Sequence, residues 1–228
     1  LGICVAYKMQ PEVSNTTKKE TKNGSWNECS ENTERAVIIE KNPEALLQRV
    51  RLIKNAKKEI ILSTFAFQSD ESGKLILGAL HDAADRGVHI RLLVDGMESW
   101  IDMEGNPYFY GLSSHENVEI KLYNKANPLK PWKMMGRMHD KYLIADGKRY
   151  ILGGRNTYNY FLGDFPGHKN YDRDVLVVCD EPEKENSVNQ LLEYFETIWE
   201  QEDSDYFHDN KKLANRKSVK NAVLELKN

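Results

Sequence analysis

His139 and Lys141 stand two residues apart and are followed by Asp146, then by Gly153, Gly154 and Asn156, in the order H-x-K-x4-D and G-G-x-N. A neutral imidazole can attack phosphorus through a ring nitrogen, and an ammonium beside it can neutralise the non-bridging oxygens as charge shifts in the transition state. Asn156 offers amide donors to the same oxygens, and the glycines let backbone approach a substrate closely. The pattern suits phosphodiester chemistry centred on His139, with no metal and no organic cofactor required. A lone histidine is more often an ordinary partly buried side chain. Three fixed positions at this spacing, however, arise by chance in roughly one such chain in a hundred. On a strand, residues two apart share a face, so His139 and Lys141 are expected to project together while Tyr142 and Ile144 pack behind them. Asp146 precedes Gly147 and reads as a turn residue whatever else it does.

Elements of both periodicities must position these residues. Asn42-Pro43-Glu44 starts a helix carrying Leu46, Leu47, Val50, Ile53 and Ala56 at helical spacing. Glu59 to Phe67 reads as a buried strand, Ser72 to Arg86 as a helix closed by Gly87, and Val88 to Val94 as the next strand, together a right-handed crossover unit. Val118 to Tyr123 is a third strand, and the basic, proline-containing stretch Asn124 to Arg137 a long loop. Met138 to Ala145 and Arg149 to Leu152 flank Asp146-Gly147 as a hairpin. Val175 to Cys179 adds a strand and Ser187 to Gln201 an amphipathic helix. The fold class is α/β, a mixed β-sheet flanked by helices. Three segments are expected: a polar N-terminal segment or linker over 1–35, one domain over 36–201, and a charged C-terminal segment over 202–228 that can be the start of a second half.

The constellation resembles the signature of the phospholipase D superfamily. Glu59 to Phe67, Asp70, Gly73, Leu80, Ala83 to Val88 and Leu92 to Asp95 extend the resemblance to the N-terminal half of bacterial cardiolipin synthase and phospholipase D-like proteins, over roughly Asn42 to Trp199. It implies a phospholipase D-like half-domain in which His139 becomes phosphorylated, with Lys141, Gly154 and Asn156 on the substrate phosphate and Asp146 organising structure. It also implies that an acidic residue after the asparagine orients the histidine by accepting its other ring N–H. Asp172, in Tyr171-Asp172-Arg173-Asp174, matches that position. The family uses a second histidine as general acid and base. None of His81, His89, His115, His168 or His208 has a lysine two residues on, so one copy of the motif is present where a full site needs two. The other half is expected from the same longer chain, or else from a homodimer.

Phosphatidyl transfer or phospholipid hydrolysis is the expected activity, with phospholipid and a membrane surface as partners and a membrane-associated, bacterial setting. The alternative is an endonuclease of the same motif acting as a homodimer on nucleic acid. A degenerate, non-enzymatic half is the third reading, disfavoured because every motif position is filled. Lys and Arg total 32 against 35 Asp and Glu, a net charge of −3, so no global attraction to nucleic acid or anionic lipid exists and any basic site must be local. Lys125, Lys130, Lys133 and Arg137, interleaved with Trp132, Met134 and Met135, form either a lipid-facing loop or a solvated one. Tyr158, Tyr160, Phe161, Phe165 and Tyr171 read as a substrate pocket, a base-stacking surface or core. Cys179 ends an apolar run as a core thiol, while Cys4 and Cys29 can pair in an oxidising compartment. Leu1 to Tyr7 is apolar but too short to cross a bilayer, consistent with a removed anchor or signal segment upstream or with an arbitrary boundary.

Overall fold

Apolar residues along six of the strands divide the interior into two layers. Ile60 and Leu62 face one side of the sheet with Ile90, Leu92, Val94, Ile120, Leu122, Leu143, Ala145 and Ile151. Ile61, Leu93, Tyr142, Ile144, Tyr150, Val177 and Cys179 face the other. This pattern belongs to a computed structural model that describes residues 34–127, 129, 135–182, 184, 186–208 and 211–227, with Asn15 and Lys19. Cys4, Cys29, Lys130, Trp132, Lys133 and Met134 lie outside the described residues.

The strands are β1 (Glu34–Ile39), β2 (Glu59–Thr64), β3 (His89–Asp95), β4 (Val118–Tyr123), β5 (Tyr142–Ala145), β6 (Arg149–Gly153), β7 (Asp174–Cys179) and β8 (Ser204–Tyr206). They form one mixed sheet in the order β1-β7-β6-β5-β2-β3-β4-β8. β2, β3 and β4 run parallel, and the remaining pairings are antiparallel. The helices are α1 (Asn42–Asn55), α2 (Glu71–Asp85), α3 (Gly96–Asp102), α4 (Pro107–Ser113), α5 (Ser187–Trp199) and α6 (Lys217–Leu226). α1, α2, α4 and α6 bury Leu46, Ile53, Leu77, Leu80, Phe109 and Val219 against the first layer. α5 covers the second with Val188, Phe195 and Trp199. The expected α/β class, mixed sheet and flanking helices are what the structure has, and Cys179 is a buried free thiol. Among the described residues no helix is long and apolar enough to cross a membrane.

The last segment packs on the sheet, and one expectation needs correction. Within residues 202–228, β8 pairs with β4, Phe207 and Val219 are buried, and Thr33–Asn228 form one compact unit. Their charges are spread over exposed faces of short elements, which hides the apolar anchors in the sequence. The first hairpin strand begins at Tyr142 rather than Met138, because the Met138 N–H donates to Asp95 (3.0 Å) and the Asp140 N–H to the Met138 sulfur (3.3 Å) rather than to a neighbouring strand. His139 and Lys141 therefore sit in the irregular segment leading into β5.

Candidate active site

The parallel strands deliver their carboxyl ends to the same edge at which the β5–β6 hairpin opens, so the segments 65–68, 95–98, 137–141 and 153–157 converge there. Asp95, at the end of β3, is the anchor. Its buried carboxylate accepts from the Arg137 guanidinium (Nε at 2.9 and 3.0 Å), from the Met138 N–H and from the Met97 and Glu98 N–H groups of α3. Residues 137 and 138 are thereby fixed immediately before the histidine.

His139 is exposed, and its ring meets Phe65 edge-on at 4.6 Å between centroids. Lys141 is buried and donates from Nζ to the His139 carbonyl (2.6 Å). Its ammonium also lies over the Phe65 ring at 5.2 Å, and the Arg137 guanidinium over the same ring at 4.9 Å. Burial pushes the Lys141 pKa below the ordinary lysine value, an effect that the nearby Asp140 and Asp172 carboxylates oppose. Asn156, also buried, accepts the Ala66 N–H on Oδ1 (3.2 Å). Among the described residues its Nδ2 hydrogens have no acceptor, which leaves two donors for a substrate. Phe65 and Ala66 are consecutive, and Gly153 N–H donates to the Lys141 carbonyl (3.2 Å). His139 and Lys141 thus meet at the Phe65 ring, and Asn156 is held to the backbone of the next residue, Ala66.

The glycine pair has a different role from the one its flexibility suggested. A Cβ at Gly153 would overlap the Asp174 carboxylate, and one at Gly154 that of Asp172. Both glycines make room for acids of this chain. Asp174 is wholly buried between Arg49 (2.9 Å) and Arg155 (3.1 Å). Arg155, the largest fully buried side chain, also donates to Asn42 Oδ1 (3.1 Å), to the carbonyls of Ile39 (3.3 Å) and Glu40 (2.8 Å), and to that of Asp172. It ties the end of β6 to the β1–α1 connection and to the Asp172 loop. The unspecified position of G-G-x-N is therefore a structural arginine.

The remaining candidates separate. Asp146 lies at the far end of β5 from Lys141, with a φ of 55° followed by 60° at Gly147, as a type I′ turn requires. Its carboxylate accepts the N–H groups of Lys57 (3.1 Å), Lys58 (2.8 Å) and Glu59 (3.1 Å), holding the start of β2 rather than meeting the reacting groups. The Asp172 carboxylate accepts from the Arg173 N–H (2.7 Å). Among the described residues the His139 ring has no hydrogen bond, so the expected Asp172–His139 bond is not formed. Tyr158, Tyr160 and Phe161 pack on one another and on the core, Phe165 is half-buried against it, and Tyr171 is exposed. Phe65, Asp95, Arg155 and Asp174 were given no role at the site from the sequence. The pairing of Arg155 with an Asp-x-Asp segment was the one available hint, since a buried guanidinium demands a carboxylate.

Comparison with known proteins fits this geometry. The chain is 31% identical over 206 residues to a protein of Helicobacter pylori strain J99, covering 84% of this chain and 38% of that protein. It is 29% identical over 171 residues to cardiolipin synthase C of Escherichia coli K12, covering 69% of this chain and 34% of the synthase. It thus spans little more than a third of the length of these relatives. The solved structure of Nuc from Salmonella typhimurium, a phospholipase D family member, shares the fold with a TM-score of 0.54 at 20% identity, over 77% of this chain and 99% of that one. A family model described as "Cardiolipin synthase, PLD-like domain" matches residues 49–199, and the chain belongs to that phospholipase D-like family.

Proposed function

We propose that this chain supplies one half of a two-histidine site that transfers or hydrolyses a phosphodiester, with a phospholipid as substrate and phosphatidyl transfer to an alcohol as the favoured outcome. The observation that carries the reading is the placement of an exposed imidazole beside a buried ammonium whose described partner is a neutral carbonyl, with the Asn156 amide donors nearby. Such an ammonium gains strongly from an anionic phosphate oxygen. The superfamily is one of phosphodiesterases, and the similarity to cardiolipin synthase C supports the lipid branch.

In the first step a nitrogen of His139 bonds to phosphorus, the ester P–O bond breaks, and the leaving alkoxide takes a proton from a general acid. In the second, water or an alcohol gives its proton to the same group, its oxygen bonds to phosphorus, and the P–N bond breaks. Lys141 and Asn156 hold the non-bridging oxygens throughout. The general acid comes from a second half. His81, His89, His115, His168 and His208 contact groups other than His139 and Lys141 in the described residues. A longer chain containing a second motif, or a second copy of this one, would provide it.

The test is turnover of the longest native polypeptide on phospholipid vesicles and on single-stranded DNA, with chelator present, in wild type and His139→Ala. Histidine-dependent lipid turnover supports the reading. Histidine-dependent DNA cleavage without lipid turnover sinks it in favour of a nuclease.

A further inference from the structure

Asp140 stands between His139 and Lys141, and its side chain turns to α5. The Tyr194 phenol donates to Asp140 Oδ2 at 2.8 Å. α5 is a firm support for that bond. Phe195, the next residue along, is wholly buried with Val188 against the second layer of the sheet, and Arg91 holds Glu196 at 2.7 Å. Asn186 caps the first turn by accepting the Asn189 N–H (2.9 Å). Burial and the Asp140 carboxylate, with a smaller contribution from Tyr123 at the end of β4, push the Tyr194 pKa up to about 12. The phenol therefore keeps its proton and stays a donor at neutral pH. Among the described residues no other side chain bonds to the Asp140 carboxylate. Tyr142 and Glu196 are the other titratable groups on the two elements that meet here, and Glu196 is taken up by Arg91.

His139 has few ties of its own. Its ring is exposed and meets Phe65 without a hydrogen bond among the described residues, so the imidazole goes where its backbone goes. That backbone is held on both sides. Ahead of it the Asp95 carboxylate accepts from Arg137 and from the Met138 N–H, and behind it the Asp140 side chain is tied to Tyr194. The Asp140 N–H, on the Met138 sulfur at 3.3 Å, closes the turn between the two anchors. Charge adds a second role. Burial lowers the Lys141 pKa, and of the two carboxylates that oppose it Asp140 acts more strongly than Asp172. We propose that Tyr194 and Asp140 are positioning residues for the His139 site: the phenol holds the carboxylate, which fixes the backbone carrying the imidazole and keeps a negative charge within reach of the Lys141 ammonium. The inference rests on the reading of His139 as the nucleophile, and it makes α5, on the other side of the sheet, part of what the reaction depends on.

Two substitutions separate the tether from the charge. Tyr194→Phe deletes the bond and keeps the carboxylate, whereas Asp140→Asn deletes the charge and keeps an oxygen that accepts from the phenol. In hydrolysis of bis(p-nitrophenyl) phosphate by the longest native polypeptide, Tyr194→Phe should lower kcat roughly tenfold with little change in KM, its alkaline limb staying near the wild-type position. Asp140→Asn should keep most of kcat at the plateau and move the alkaline limb to lower pH. Thr197→Ala, exposed on the same helix, should match wild type in both. Proton NMR of the histidine rings supplies a readout that needs no turnover. The His139 ring signal, identified by its loss in His139→Ala, should shift in Tyr194→Phe and stay in place in Thr197→Ala. Wild-type kcat with an unmoved His139 signal in Tyr194→Phe overturns the proposal, and so does an alkaline limb that Asp140→Asn leaves where it was. Full activity of His139→Ala would instead remove the nucleophile reading, and the ring signal then decides by itself whether Tyr194 holds the imidazole.

Discussion

The Asp174 carboxylate fills the space into which a side chain on Gly153 would project, its carbon 2.7 Å from the position a Cβ would take. Asp174 cannot yield, because Arg49 and Arg155 hold it in a fully buried ion cluster. Gly154 stands in the same relation to Asp172, which is only half-buried and can swing aside. Gly153→Ala should therefore cost about 1 to 3 kcal/mol of stability, and Gly154→Ala distinctly less, as read from urea midpoints at unchanged slope.

Removing the acid from that cluster should be worse than crowding it. Asp174→Ala leaves two guanidiniums buried without their carboxylate, a loss of about 3 to 5 kcal/mol for a broken buried pair. Asp174→Asn should recover part of this. Equal stability of wild type and Asp174→Ala in urea titrations would contradict the geometry.

Asp146 should behave as a structural residue. Asp146→Ala removes the acceptor of three backbone N–H groups and places a Cβ-bearing residue other than Asp or Asn at a φ of 55°, costing about 1 to 3 kcal/mol. At a temperature where the variant stays folded, its kcat on a soluble phosphodiester should match wild type within a few-fold. A selective collapse of kcat would assign Asp146 to the reaction instead.

Lys141 must be an ammonium to neutralise phosphate oxygens, and burial lowers its pKa. Activity should therefore fall on the alkaline side at a lower pH than an ordinary lysine would dictate. The Asp172 carboxylate opposes the shift, so Asp172→Asn should move the alkaline limb further down in a kcat/KM profile against pH. Stability has a related dependence. Between the depressed folded value and the higher unfolded one the unfolded chain binds the extra proton, so stability rises with pH across that window.

Phe65 joins the reacting groups through its ring. Phe65→Leu should lower kcat roughly tenfold by loosening His139 and Lys141, with little change in KM, while Phe65→Tyr keeps both ring contacts and most of the rate. Steady-state kinetics on a soluble phosphodiester separates the two variants.

How much of this was legible in the residues follows from local physics. α1, α2 and α5 announce themselves through apolar spacing at helical period, and β2, β3, β4, β6 and β7 through short apolar runs. α3 and α4 are seven residues each, carry glycine or proline, and show too short a stripe to read. β1 is an edge strand with little of its surface buried, and its sequence therefore lacks a clear in-and-out alternation. The histidine, lysine and asparagine were visible because the proposed phosphodiester chemistry calls for those residue types at that spacing. The aromatic ring beside the histidine and lysine is set by contacts across roughly seventy residues, and the arginine behind them by bonds to Asn42, Ile39 and Glu40 more than a hundred residues away, which spacing cannot reveal.

That edge strand sets a schedule for biosynthesis. β1 is held in the sheet by β7, and Arg35 meets Asp180 across 145 residues of chain. At roughly 5 to 20 residues per second on a ribosome, β1 waits on the order of ten seconds for its partner, with Ile39, which the finished fold buries, uncovered. The nascent chain thus passes through a stage in which the parallel strands β2, β3 and β4 are already made and β1 is still unpaired. Made well before its partner β7, β1 is among the last of the described strands to be secured, and it is the natural place for a chaperone to bind while translation proceeds.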